Sequence, residues 1–283
     1  MKMSVGAIRN ITDEEEVLKE LTIRILRIPA LQGREWHITS PEVIQEVLTV
    51  IHDTFKTTDP FQALKAEQNR KGWELYPTLK DLVKASPDPL FTAVKIAVMG
   101  NFIDLMISDR SIDRSKTLET DLDSLSVSKR TFLEFEEKLK KARLLIYVGD
   151  NCGEVVFDRV LIETIRERLD PEIVFAVRGV PALNDVTMRE AKQVGMDVLV
   201  RLVENGQKEP VPGTILSRCS PEFRDLFQKA DLVISKGGGN FDTLDEEKAL
   251  STDITFMVLA KCHPYCRQFQ TPMYQPILAN VFQ

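Results

Sequence analysis

Leu144-Leu145-Ile146-Tyr147-Val148-Gly149-Asp150-Asn151-Cys152-Gly153-Glu154 is the stretch whose pattern decides the fold. Its apolar start has no polar alternation, which suits a strand buried on both faces, and its polar, glycine-bearing end makes a sharp turn into a helical segment at 155–169. Apolar runs of the same kind recur at 173–177, 198–203, 232–234 and 254–259, with a further helical stretch at 221–230. Short buried strands alternating with helices predict an α/β unit with a parallel, doubly wound sheet, whose ligands bind beyond the carboxyl ends of the strands.

Upstream the period changes. Val17, Leu18, Leu21 and Ile25, then Val43, Ile44, Val47, Leu48 and Ile51, recur at helical spacing. Thr12 with Glu15 reads as a capping box, and Ser40 before Pro41 reads as a capping hydroxyl ahead of a first-turn proline. The expected organisation is a helical N-terminal domain, 1–142, packed on an α/β/α domain, 143–283.

Composition bounds the partners. A chain of 283 residues with 43% hydrophobic and 28% charged residues can build a large core and is not disordered. The net charge of -6 provides no global basic field for nucleic acid or an anionic membrane, so neither partner is expected. An acidic chain binds phosphate through a local device, such as a metal ion or a helix N-terminus. Four cysteines are too few for a secreted disulfide scaffold of this length. With no apolar core of signal-peptide length in Met1-Lys2-Met3-Ser4-Val5-Gly6 and no run of about 18 apolar residues, a cytoplasmic protein is expected.

Three strand ends carry polar residues. After the first, Asp150 and Asn151 can offer two oxygens to a hard divalent cation, although both residue types also start helices as N-caps. The G-x-G-x-x-G dinucleotide spacing is absent there. After the second, Asp185 closes Arg178-Gly179-Val180-Pro181-Ala182-Leu183-Asn184-Asp185 and opens a helix, so two acidic turns on one rim can share one metal. After the fourth, Lys236 precedes Gly237, Gly238, Gly239 and Asn240, a combination of point charge and open backbone amides that forms an anion cradle or else a flexible structural turn. It is not a Walker sequence, because the lysine comes before the glycines.

Together these turns resemble the damage-control phosphatases, a family of metal-dependent enzymes. The resemblance extends into the helical half through Asn69-Arg70, Glu74-Leu75-Tyr76-Pro77 and Gly100-Asn101-Phe102-Ile103-Asp104, and so covers most of the chain. It implies a helical domain on a Rossmann-like α/β/α domain. It also implies that Asp150, Asn151 and Asp185 bind one divalent metal (Mn, Co, Ni or Mg), that Lys236 contacts the substrate phosphate, and that Asn240, Asn101, Asp104 and Glu154 line the pocket. The implied activity is hydrolysis of small phosphorylated metabolites: sugar phosphates, or phosphorylated cofactor intermediates and their damaged forms. Water and Asp150 are the two candidate nucleophiles. Some animal relatives have been described as carboxyl methyltransferases, so that reaction is one alternative, and a noncatalytic sugar-phosphate-binding module is another. The Cys-x-x-Cys pair that many prokaryotic relatives carry near the N-terminus is missing; the cluster Cys262-His263-Pro264-Tyr265-Cys266 has no standard zinc spacing and reads, like His37 and His52, as structural. Oligomeric state is left open.

Overall fold

In the computed structural model, which describes residues 8, 9, 11–102, 118–247 and 251–283, the apolar runs form β1 (Leu144–Val148), β2 (Glu172–Val177), β3 (Arg201–Glu204), β4 (Leu232–Lys236) and β5 (Ile254–Leu259). They are joined by β6 (Pro276–Val281). The six strands are ordered β3-β2-β1-β4-β5-β6, and every neighbouring pair is parallel except β5 with β6. From β1 the chain winds outward to β3, returns to β4 and winds the other way, which is the Rossmann order. The switch point, beyond whose strand ends such folds bind ligands, therefore falls between β1 and β4.

Two expectations need correction here. The third strand starts at Arg201 instead of 198, because Met196–Val198 form a 3-10 turn with Val198 exposed to solvent. β6 has no counterpart among the expected strands; it opens on Pro276, which an edge strand tolerates.

Strand alternation divides the core. Leu145, Tyr147, Phe175 and Ile234 share one cluster with α3 (Gln62–Ala85), α4 (Pro89–Met99), α6 (Lys129–Lys141) and α7 (Glu154–Arg166). Ile146, Val148, Val174, Val233 and Phe256 face α9 (Pro221–Lys229) and α10 (Gly238–Leu244). A short helix, α5 (Leu118–Ser124), adds Leu122 to the first cluster. α4 is apolar almost all round, with Leu90, Ala93, Val94, Ile96, Ala97, Val98 and Met99 buried, as a helix inside a layered core must be. It packs against α7, and α3 packs against both. Gly72 lets α3 approach this closely, since a Cβ there would lie 2.8 Å from the Gly153 carbonyl. The expected boundary at 142/143 falls between α6 and β1, while the first cluster crosses it. Among the described residues α1 (Glu15–Ile25) and α2 (Ser40–Phe55), with Ile8, Ile28 and Phe61, build a separate cluster, which also takes in Ala182 from the loop carrying Asp185.

The helix starts also differ from the sequence reading. α1 is preceded by Glu14 as N-cap with no side-chain cap, and Thr12 only accepts the Glu14 N–H. At α2 the cap is Thr39 and not Ser40: Glu42 Oε2 accepts the Thr39 N–H at 2.8 Å and the Thr39 hydroxyl at 3.0 Å. Thr39→Ala should therefore cost about 1 kcal/mol in denaturant unfolding, and Ser40→Ala much less; equal losses would return the cap to Ser40. All four cysteines are free. No described helix is long and apolar enough to cross a membrane.

Candidate active site

The two acidic turns are joined by backbone. An isolated antiparallel bridge links Asn151 to Asp185, flanked by Cys152 N–H to Asn184 O at 2.9 Å and Val186 N–H to Asp150 O at 2.8 Å. The Gly153 amide is held by Asn69 Oδ1 at 2.7 Å. None of Asp150, Asn151 and Asp185 caps a helix. The N-cap of α7 is Gly153, and that of α8 (Met188–Gln193) is Thr187, which forms a capping box with Glu190. The expectation that Asp185 opens the helix is thus corrected, and the capping explanation for these buried side chains falls away.

Arg178, directly after β2, joins the acids. Its Nε donates to Asp185 Oδ2 at 2.6 Å, and its Nη1 donates to Asn240 Oδ1 at 2.8 Å and Thr214 Oγ1 at 3.0 Å. Its Nη2, 3.8 Å from Asp150 Oδ1, is buried and makes no hydrogen bond among the described residues. Burial pushes the Asp150 carboxyl well above its ordinary range, and the charges of Asp185 and Glu154 push the same way against Arg178 and Lys261.

Beneath Asp150 lies a second layer. Asn151 Nδ2 donates to Asp150 Oδ2 at 2.6 Å and Glu154 Oε2 at 3.1 Å, and Asn101 Nδ2 donates to the same two oxygens at 3.1 and 2.6 Å. Glu154 Oε1 accepts from Lys236 Nζ at 2.6 Å.

Lys236 is not where the sequence reading puts it. Alternation along β4 sends Leu232, Ile234 and Lys236 to the same face, the one covered by α4 and α7. The ammonium is fully buried and donates to Ala97 O at 2.7 Å, Glu154 Oε1 at 2.6 Å and Asp158 Oδ1 at 2.6 Å. Burial alone would lower its pKa, but Asp158 and Glu154 outweigh that and hold it above the ordinary lysine range. With three donors and three acceptors, the ammonium serves as an internal counter-ion in this structure and has no proton left for a phosphate.

Asn240 is likewise saturated. Its Nδ2 donates to Gly149 O at 3.1 Å and Lys236 O at 2.7 Å, and its Oδ1 accepts from Arg178 and Thr214. It latches three strand ends together instead of lining an open pocket. The Gly237 N–H bonds to Met257 O at 3.1 Å. The amides of the half-buried Gly238 and Gly239 have no acceptor among the described residues and are what remains of the cradle. Tyr265 supports this loop with its hydroxyl, 2.6 Å from the acceptor Asp242 Oδ1 and 3.0 Å from Gly238 O, which gives the Cys262–Cys266 segment a structural task. Asp104 lies outside the described residues.

Sequence reasoning missed Asp158, Tyr147, Lys261 and the role of Arg178. A signal for Asp158 was present: Glu154 and Asp158 stand one turn apart on a helix otherwise apolar at 155–157. Among the described residues no group of three or more His, Cys, Asp or Glu could hold a metal ion. The oxygen set here is smaller, consisting of Asp150, Asp185 and the Asn151 amide, which suits a hard cation that keeps waters of its own.

A family model described as the damage-control phosphatase ARMT1-like domain matches residues 4–277. Among curated proteins, a damage-control phosphatase of Pyrococcus horikoshii is 35% identical over 218 residues, which span 76% of this chain and 72% of that protein. A damage-control phosphatase of Archaeoglobus fulgidus is 26% identical over 260 residues, spanning 91% and 88%. An uncharacterized protein of Methanocaldococcus jannaschii is 33% identical over 224 residues, spanning 76% and 73%. The crystal structure of a Pyrococcus horikoshii DUF89 family protein superimposes with a TM-score of 0.79 at 26% identity, covering 98% of this chain and 94% of that one. With the matched model running through both the helical and the α/β parts, the chain belongs to the damage-control phosphatase ARMT1-like family.

Proposed function

We propose that the chain is a divalent-metal-dependent phosphatase that hydrolyses phosphomonoesters of small metabolites, with Asp150, Asn151 and Asp185 holding the ion. The observation that carries this reading is a charge imbalance. Four buried carboxylates (Asp150, Glu154, Asp158 and Asp185) share two buried cations, Arg178 and Lys236. Each layer is short of one positive charge: Glu154 and Asp158 share Lys236 below, and Asp150 and Asp185 share the buried Arg178 above, where Asn151 also lies. Such a surplus of hard oxygens at the strand switch point fits a dication. When bound, the ion would polarise a phosphoryl oxygen and lower the pKa of a water.

The chain's own groups then divide the remaining work. Gly238 and Gly239 amides and Lys261, an exposed cation just past β5 that acts on Asp150 through its charge, are placed to take phosphate oxygens. Asp150 Oδ2 already accepts from two amides, so it is held as a fixed anchor, which favours water over Asp150 as nucleophile. Water forms the new O–P bond, the ester P–O bond breaks, and the proton passes to the leaving alcohol. The names of the archaeal relatives support a phosphatase, and the substrates proposed are sugar phosphates or phosphorylated cofactor intermediates and their damaged forms.

The test is phosphate release from a panel of phosphorylated metabolites with Mn²⁺, Co²⁺, Ni²⁺ or Mg²⁺, with and without chelator. Chelation, Asp150→Ala and Asp185→Asn should each lower turnover by at least about a hundred-fold. Asp150→Ala should melt close to wild type, because it relieves repulsion from Asp185 and Glu154. Asp185→Asn retains an oxygen for Arg178 Nε. Undiminished turnover in chelator would end the metal-dependent reading.

A further inference from the structure

Asn151 can serve a cation only through its carbonyl oxygen, so the amide must be turned one particular way. Its partners decide which. Asp150 Oδ2 and Glu154 Oε2 are carboxylate acceptors at 2.6 and 3.1 Å, which fixes the NH₂ on their side and leaves Oδ1 on the other. Asn101 presses its own NH₂ on the same two oxygens and so blocks their use by any other donor.

Glu154 is in turn clamped from below. Lys236 from β4 holds its Oε1, and Lys236 is fixed by Ala97 O from α4 and by Asp158 Oδ1, one turn further along α7. Asp158 Oδ1 also accepts the Tyr147 hydroxyl from β1 at 2.7 Å, while its Oδ2 is buried without a hydrogen-bond partner among the described residues. Every member of this chain is buried, and its charges alternate from Asp158 through Lys236 to Glu154. Lys236, Asp158 and Tyr147 make no hydrogen bond to Asp150, Asn151 or Asp185 among the described residues, so their influence on chemistry passes through Glu154.

We propose that Glu154 is the positioning residue that sets the Asn151 amide for metal binding, and that Asp158 and Tyr147 keep Lys236 on Glu154. This rests on the metal-dependent reading above. Glutamine at 154 would have the same shape, but its NH₂ would meet either the Lys236 ammonium or the Asn151 NH₂, donor against donor. Facing Lys236 is the worse choice beside a full charge. Asn151 is then driven to turn over and present NH₂ to the cation.

The experiment is calorimetric titration of Mn²⁺ into metal-stripped protein, with thermal melts alongside. Glu154→Gln and Asp158→Asn should each weaken Mn²⁺ by about ten-fold or more, and Tyr147→Phe, the mildest change, by less. Excess Mn²⁺ should restore kcat in each, whereas a general loss of stability would lower the melting temperature and leave Mn²⁺ affinity unchanged. Wild-type affinity in a folded Glu154→Gln protein would overturn the assignment. If that variant does not fold, unchanged affinity in Asp158→Asn overturns it. Wild-type protein that takes up no Mn²⁺ is a different result, which removes the metal reading itself.

Discussion

Gly237→Ala should abolish phosphate release and lower stability by about 3 kcal/mol or more. Two separate costs add at this position. Gly237 has φ 78° and ψ 164°, a region essentially closed to side-chain-bearing residues and costing about 1–3 kcal/mol when they are forced into it. A Cβ there would also be driven into the Asp150 carboxylate, well inside van der Waals contact. Backbone relief is not available, because the Gly237 N–H is tied to Met257 O at 3.1 Å. The carboxylate must move instead, and with it go the bonds from Asn101 and Asn151. Gly238→Ala is the matched comparison. Its Cβ would lie 2.7 Å from the Tyr265 hydroxyl, the end of a side chain, so a smaller loss is expected and Tyr265→Phe should recover part of it. Melting temperature, Mn²⁺ affinity and phosphate release measured on both variants decide the matter. A Gly237→Ala protein with wild-type turnover would mean that Asp150 is not held against this glycine.

Lys236→Met should be as damaging, through charge. Removing the ammonium leaves Glu154 and Asp158 buried without their cation, a situation that costs about 3–5 kcal/mol. Metal affinity and phosphate release should fall together, because Glu154 loses its anchor at the same time. Adding Asp158→Asn should return part of the stability by removing one stranded charge, and the double-variant cycle measures how much. If Lys236→Met folded as wild type and only raised KM for the phosphoester, the lysine would be a phosphate ligand after all.

The difference between a rim lysine and a buried one shows what the sequence carries and what it does not. The strands β1, β2, β4 and β5 were legible because short continuous apolar runs between turns suit strands buried on both faces. β6 was not, because Pro276 and Asn280 break its apolar run and its stability comes from pairing with β5. The acidic turns were legible as residue types. Their meeting depends on the Asn151–Asp185 bridge, a contact between turns that no local pattern encodes. For Lys236 the parity was readable, since Leu232 and Ile234 point the same way; what covers that face is tertiary, and only the packing of α4 and α7 turns the lysine inward. The Thr39 cap was a nearer miss, where a Thr-x-x-Glu pairing outcompeted the residue beside proline.

The long reach of the Lys236 bonds bears on how the chain folds without error. They span 139 residues to Ala97, 82 to Glu154 and 78 to Asp158, so the ammonium meets its partners only after large loops have closed. Until then α7 carries two carboxylates that are better left in water than pressed into an apolar layer. A premature collapse of α7 onto the sheet with α4 or β4 out of register is thereby penalised. The buried charges work as a proofreading step, admitting the final compaction only when all three elements have arrived in their correct places.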